Sequence, residues 1–205
     1  MPRLRSKQIS LLAAAALLLA ACGTSGPPAP GSTAPPAPTE PGPAKYAGSL
    51  GGTRTFLGIA AAGERAAALL TDGTESVSLF VWFAGGVEDG AFTATANNIS
   101  LSARLGTGAA SGTVLMPDGR TLNYVVPRVR GGAGPYRAES NATGQPYTAG
   151  WIVLPDGEQR AAAAYGTDAS GRVVTILPLD FGPDGRPTVV DVPGVGRFQP
   201  EPLVP

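Results

Sequence analysis

From Tyr46 onward the apolar residues recur at every second position. Val77, Leu79, Val81 and Phe83 alternate with Ser76, Ser78, Phe80 and Trp82. Phe92, Ala94 and Ala96 alternate with Thr93 and Thr95, and Ile99, Leu101, Ala103 and Leu105 with Ser100, Ser102 and Arg104. Leu122, Tyr124 and Val126 repeat the pattern. Successive side chains of a strand point to opposite faces, so each run reads as a half-buried strand. Asp-Gly pairs stand between or beside the runs at 72–73, 89–90, 118–119, 156–157 and 184–185, the last three preceded by Pro. Aspartate supports a tight turn through its side chain, and glycine takes the positive φ that a reversal needs.

The pattern predicts strands near 54–61, 65–71, 76–84, 91–97, 99–105, 110–116, 120–127, 134–139, 148–155, 158–165, 172–179 and 187–191. Short strands joined by tight turns imply an all-β domain over 45–192. Its antiparallel meander must manage its edges by closing as a barrel or stacking as a two-sheet sandwich. Two alanine triplets, Ala60–Ala62 and Ala66–Ala68, leave 59–70 open to strand or to a helical turn or two. Residues 193–205 hold four prolines and read as an irregular tail. The segments Gly112–Gly119 and Gly150–Gly157 resemble each other, as an internal duplication would, or as one turn solution used twice.

Composition narrows the chemistry. The 205 residues contain no histidine and one cysteine, Cys22. A Ser-His-Asp or Cys-His system needs an imidazole to take the nucleophile's proton. Zinc and copper sites draw on His or thiolate. No catalytic residue, metal or cofactor is therefore expected. Carboxylates remain, and Asp72, Glu75, Glu88 and Asp89 form the most suggestive group for a glycan hydrolase, which needs two acids about 5–10 Å apart. Phe80 and Trp82 lie opposite Val81 and Phe83, and Trp151 precedes Ile152, Val153 and Leu154, so both strands are apolar on two sides and central. Phe80, Trp82 and Trp151 are the candidate binding residues, as the lining of a barrel interior or mouth, with ordinary core as the competing reading. Small side chains at Ala94, Ala96 and Ala103, if inward, would leave such a barrel space or equally let two sheets pack closely. Arg128 and Arg130 beside the loop Gly131–Gly134 suggest an anion contact or a solvated loop.

The N-terminal residues have another logic. Residues 1–8 carry Arg3, Arg5 and Lys7 and no acid, and an apolar run follows to Ala21. This is the form of a secretory signal peptide over 1–21, too short to span a bilayer comfortably. The run ends in Leu19-Ala20-Ala21-Cys22-Gly23. That sequence resembles the bacterial lipobox, a leucine and two small residues before an acceptor cysteine. The resemblance covers residues 1–23 and implies a diacylglyceryl group on the sulfur of Cys22 and cleavage just before it. Residues 23–44 are dominated by Pro, Gly, Ser, Thr and Ala and hold no large apolar side chain. Such a segment cannot bury enough surface to order itself and reads, with Cys22, as a tether over 22–44. Fully extended it would reach roughly 70 Å.

Without Arg3, Arg5 and Lys7, 12 basic residues face 15 acidic ones. A mildly acidic chain argues against nucleic acid, whose backbone demands a basic patch. The expectation is a lipid-anchored extracytoplasmic membrane protein with a non-enzymatic β domain. Its partner would be an envelope protein, a wall polymer or a small ligand. Alternatives are a β-barrel carrier and a carboxylate-dependent hydrolase of wall glycan.

Overall fold

A computed structural model describes residues 42–141, 144, 146–165 and 173–205. The signal peptide, Cys22 and most of the tether lie outside the described residues.

Eight strands close a barrel in sequence order: β1 (Ala44–Ser49), β2 (Phe56–Ala62), β3 (Arg65–Thr71), β4 (Phe80–Glu88), β5 (Ala91–Ala96), β6 (Ile99–Leu105), β7 (Ala109–Leu115) and β8 (Thr121–Val129). Every neighbour pair is antiparallel, and the seam closes where Lys45 and Tyr46 of β1 face Val129 and Arg128 of β8. The chain then crosses into β9 (Gly134–Ser140), β10 (Tyr147–Val153), β11 (Gln159–Tyr165) and β12 (Val173–Thr175). A hairpin follows, β13 (Val190–Val192) with β14 (Gly196–Phe198), and β15 (Glu201–Pro202) returns to the edge of β9. The second sheet thus runs in the order β12-β11-β10-β9-β15. Among the described residues there is no helix, and the fold is all-β.

Turn chemistry sets the registers. Asp89 and Gly90 (φ 48° and 72°) and Asn97 and Asn98 (φ 53° and 58°) make two-residue reversals with both φ positive, whose twist matches that of the flanking strands. The three Pro-Asp-Gly turns share one geometry. Asp118, Asp156 and Asp184 each accept, through Oδ1, the N–H two residues on, at 3.0, 3.0 and 3.1 Å. The glycine after each takes φ of 82°, 88° and 73°. The third instance closes only the single bridge between Phe181 and Pro187, so the same turn serves outside the two longer hairpins as well.

Alternation sorts the side chains into three layers. Leu57, Ile59, Leu70, Val81, Phe83, Phe92, Leu101, Val114 and Val126 fill the barrel interior. The outer face of β1–β4 sends Ala47, Phe56, Leu69 and Phe80 against Ile152 and Ala162 of the second sheet. The far face of that sheet, with Trp151, Val153 and Ala163, is covered by Ile176, Leu179, Val190, Val192 and Phe198. Barrel and stacked sheet are therefore both present, where the pattern alone offered one or the other.

Residues 59–62 and 65–70 are strand, joined by a turn at Gly63-Glu64. Ala66 and Ala68 face the barrel interior, whereas Ala60 and Ala67 face outward, where small side chains let a second layer approach. Three expectations need correction. The strand expected from Ser76 begins at Phe80, because Asp72 holds 72–79 as a closed loop. Residues 45–49, placed in the β domain but given no strand, form with Ala44 the strand that closes the barrel; only Tyr46 among them is a large apolar side chain. The tail over 193–205 carries β14 and β15, since its prolines fall in a turn, a connection and an edge strand, where no ladder N–H is needed.

Candidate functional site

Phe80 and Trp82 stand two residues apart on β4 and share its outer face. Their rings meet edge to face, 5.8 Å between centroids. Trp82 lies against Gly150, and the Arg137 guanidinium sits 5.3 Å from its ring centroid. The Trp82 Nε1–H is buried and has no acceptor among the described residues. Ala60, Ala67 and Leu203 complete this cluster. Trp151, by contrast, points to the far side of the second sheet. Its Nε1 donates to the Leu177 carbonyl at 3.0 Å, and its ring meets Phe198. The structure brings Phe80 and Trp82 together and sets Trp151 a sheet's thickness away.

None of the three lines the barrel interior, which corrects the expectation of an aromatic-lined lumen. The alternation that separates Phe80 and Trp82 from Val81 and Phe83 does hold; it puts the tryptophan outside. Ala103 faces inward and is buried, with Ala94 and Ala96 packed against the same cluster. Large neighbours take up the room: Phe92, Tyr46 and Tyr124 belong to that core. Both tyrosine hydroxyls find carbonyl acceptors, Tyr46 on Gly106 and Tyr124 on Ser102, each at 2.7 Å. Burial holds the Tyr124 hydroxyl far above its ordinary pKa.

The four acids do not converge. Asp72 precedes β4 and Glu88 ends it, so the nine-residue strand (β4) separates them by roughly 25 Å. Asp72 is spent on its own loop. Its Oδ1 accepts the N–H of Ser78 and of Leu79, each at 2.9 Å, and its Oδ2 accepts the Ser78 hydroxyl. Asp89 is a turn residue with φ 48°. Among the described residues no group of three or more His, Cys, Asp or Glu side chains could hold a metal ion.

The loop 131–134 joins barrel to sheet and turns carbonyls, not amides, toward its charged neighbour. Lys45 Nζ donates to the Gly131 carbonyl at 2.9 Å, and the Tyr136 hydroxyl donates to Gly132 at 2.8 Å. Desolvation lowers the Lys45 pKa. Arg128 and Arg130 are exposed beside this loop.

Two further surfaces stand out, of which the sequence pattern showed the first as polar strand faces and missed the second. The outer wall of β5–β8, which the second sheet leaves uncovered, carries Thr93, Thr95, Ser100, Ser102, Thr113 and Asn123 with the exposed Leu115 and Val125 among them, and hydroxyl contacts of 3.0 Å from Thr95 to Ser100 and from Ser102 to Thr113. A lipid-facing barrel would carry an apolar band there. At the edge of β9, Arg137, Glu139, Gln199, Glu201 and Leu203 border an open cleft of about 390 Å³. Leu203, 4% exposed, was the available signal: an apolar residue after prolines that needs a seat. Comparison with protein-family models, with curated proteins and with solved structures found no match to this chain.

Proposed function

We propose that this chain is an exported lipoprotein, cut before Cys22 and lipidated on its sulfur. It holds a non-enzymatic β domain on the extracytoplasmic face of a membrane, where the domain binds another envelope component through its outer surface. The anchor rests on Leu19-Ala20-Ala21-Cys22 after a basic start and an apolar run. The observation that carries the surface role is the barrel interior: Tyr46, Leu57, Ile59, Phe83, Phe92, Leu101 and Tyr124 occupy it with their own side chains. A carrier keeps that volume for its ligand, so the filled interior weighs against one.

Two measurements test the reading. Labelling with a fatty-acid analogue should mark the wild-type chain and not Cys22→Ser, which should leave the membrane fraction. Native mass spectrometry of the chain isolated gently from its envelope should show no small molecule bound beyond its acyl groups. An unlabelled chain sinks the anchor, and an added small-molecule mass that leaves on denaturation restores the carrier, whereas an added polypeptide mass is the partner proposed.

A further inference from the structure

We propose that the outer edge of β9 is a docking site for an extended strand of a partner protein, and that β15 is the chain's own exchangeable cover for it. The inference rests on the surface role above and names the class of partner.

A sheet edge presents main-chain N–H and C=O groups that recruit a further strand unless covered. The seven residues of β9 all pair with β10 on one side. On the other, β15 pairs only Arg137 with Glu201 and Tyr136 with Pro202, and the Leu203 N–H donates to the Pro135 carbonyl at 2.9 Å. Pro202 brings no N–H of its own. The same register continued by two residues would put Gln199 opposite Glu139. There the pairing has ended, and the cleft of about 390 Å³ opens between Ala138 and Glu139 on one side and Gln199 and Glu201 on the other.

The side chains define what fits. Leu203 rests on Ala60, Ala67 and Trp82, where barrel and sheet meet, so the seat takes one apolar residue. Two residues earlier, Glu201 faces Arg137 directly across the pairing. The Arg137 guanidinium already holds the Glu139 carboxylate at 2.8 Å, so what the edge reads is the apolar side chain. Trp82 belongs to that seat and keeps a buried N–H with no acceptor among the described residues. An extended partner would gain main-chain pairing at Glu139, which β15 does not reach.

The probe is a peptide copying residues 197–205, titrated calorimetrically into the full mature chain. Removing an internal competitor raises the apparent affinity by the fraction of edge set free. Leu203→Asp should therefore bind the peptide at least ten-fold more tightly than wild type and show slowed hydrogen exchange at Arg137 and Glu139. Arg137→Cys with Glu201→Cys, in a Cys22→Ser background, would lock the facing pair; oxidised it should bind no peptide, and reduction should restore binding. Equal binding by oxidised and reduced chains, or no gain in a natively folded Leu203→Asp, overturns the proposal. Should Leu203→Asp unfold, the unaltered chain decides. Its Arg137 amide should exchange at least ten-fold faster than that of Trp151, and equally slow exchange means the cover leaves only on global unfolding. Absence of lipid on Cys22 would defeat the anchor and leave these binding results untouched.

Discussion

Gly150 of β10 lies flat against Trp82 of β4: a β-carbon at 150 would stand 2.6 Å from the indole Cζ2 and 2.7 Å from Leu69 Cδ2. Gly58 of β2 does the same in return, its missing β-carbon falling 2.8 Å from Pro135 Cβ. Barrel and sheet therefore approach through two glycines on facing strands. Gly→Ala within a strand ordinarily stabilises, because glycine loses more freedom on folding. Gly150→Ala should instead destabilise by about 1–3 kcal/mol, as overpacking does. Urea unfolding measures it, and near-UV circular dichroism of Trp82 should change with it. A stabilised Gly150→Ala would mean that the joint is looser than these contacts require.

Asp72 organises a loop rather than a reaction. Replacing it by Ala leaves the N–H groups of Ser78 and Leu79 without their acceptor in a part-buried site. The expected loss is about 2–4 kcal/mol, set by two unsatisfied donors. Asp72→Asn keeps an oxygen at Oδ1 and should lose less than half of that. Thermal unfolding ranks the pair, and hydrogen exchange at Ser78 and Leu79 should rise in the alanine variant alone. Equal losses would assign the effect to charge instead of hydrogen bonding.

Tyr124 gives the domain an alkaline limit. Burial raises its folded-state pKa well above the ordinary value of 10.0, and burial raises that of Tyr136 in the same direction. Above the unfolded pKa the unfolded chain releases a proton that the folded chain keeps, so stability falls as pH rises from about 10 toward the folded value. Below that window the contribution is fully present. Tyr124→Phe should lower stability at neutral pH by about 1 kcal/mol, through the lost hydrogen bond to Ser102. It should also flatten the decline above pH 10, leaving the part due to Tyr136. Denaturant midpoints from pH 7 to 11.5 read both effects, and an unchanged slope would place the Tyr124 hydroxyl in contact with water.

Much of the fold was legible because one face of each strand is buried. Period-two alternation placed Val81 and Phe83 opposite Phe80 and Trp82, and the Asp-Gly pairs fell in tight turns except Asp72-Gly73, which opens the longer loop 72–79. What alternation could not convey is which second layer covers the outer face. Trp82 reads the same whether it meets a ligand, lipid or another sheet, and the partner that decides it, Gly150, has no side chain to betray the contact. Strands carried by small residues were missed for the same reason: β1 has Tyr46 alone as a large inward side chain, and β15 has a proline in two residues. The cleft at β9 depends on Glu201 meeting Arg137 across 64 residues, a pairing that no local pattern encodes.

Arg160 ties the second sheet to the barrel more firmly than its ion pair suggests. Its Nε donates to the Arg54 carbonyl at 3.1 Å, and its guanidinium lies 4.2 Å from the Phe56 ring centroid. The ion pair with Glu158, 2.9 Å long, is half open to solvent on the acid's side. Exposed pairs contribute about 0–1 kcal/mol and weaken with salt. A planar guanidinium that stacks and donates at once is not replaced by an ammonium. Arg160→Lys should therefore cost about 1–2 kcal/mol, while Glu158→Gln should cost under about 0.5 kcal/mol. The Arg160→Lys loss should persist in 1 M salt, where the Debye length falls to about 3 Å. Chemical denaturation with and without added salt separates the two contributions. A salt-sensitive Arg160→Lys effect, matched by Glu158→Gln, would return the role to the ion pair.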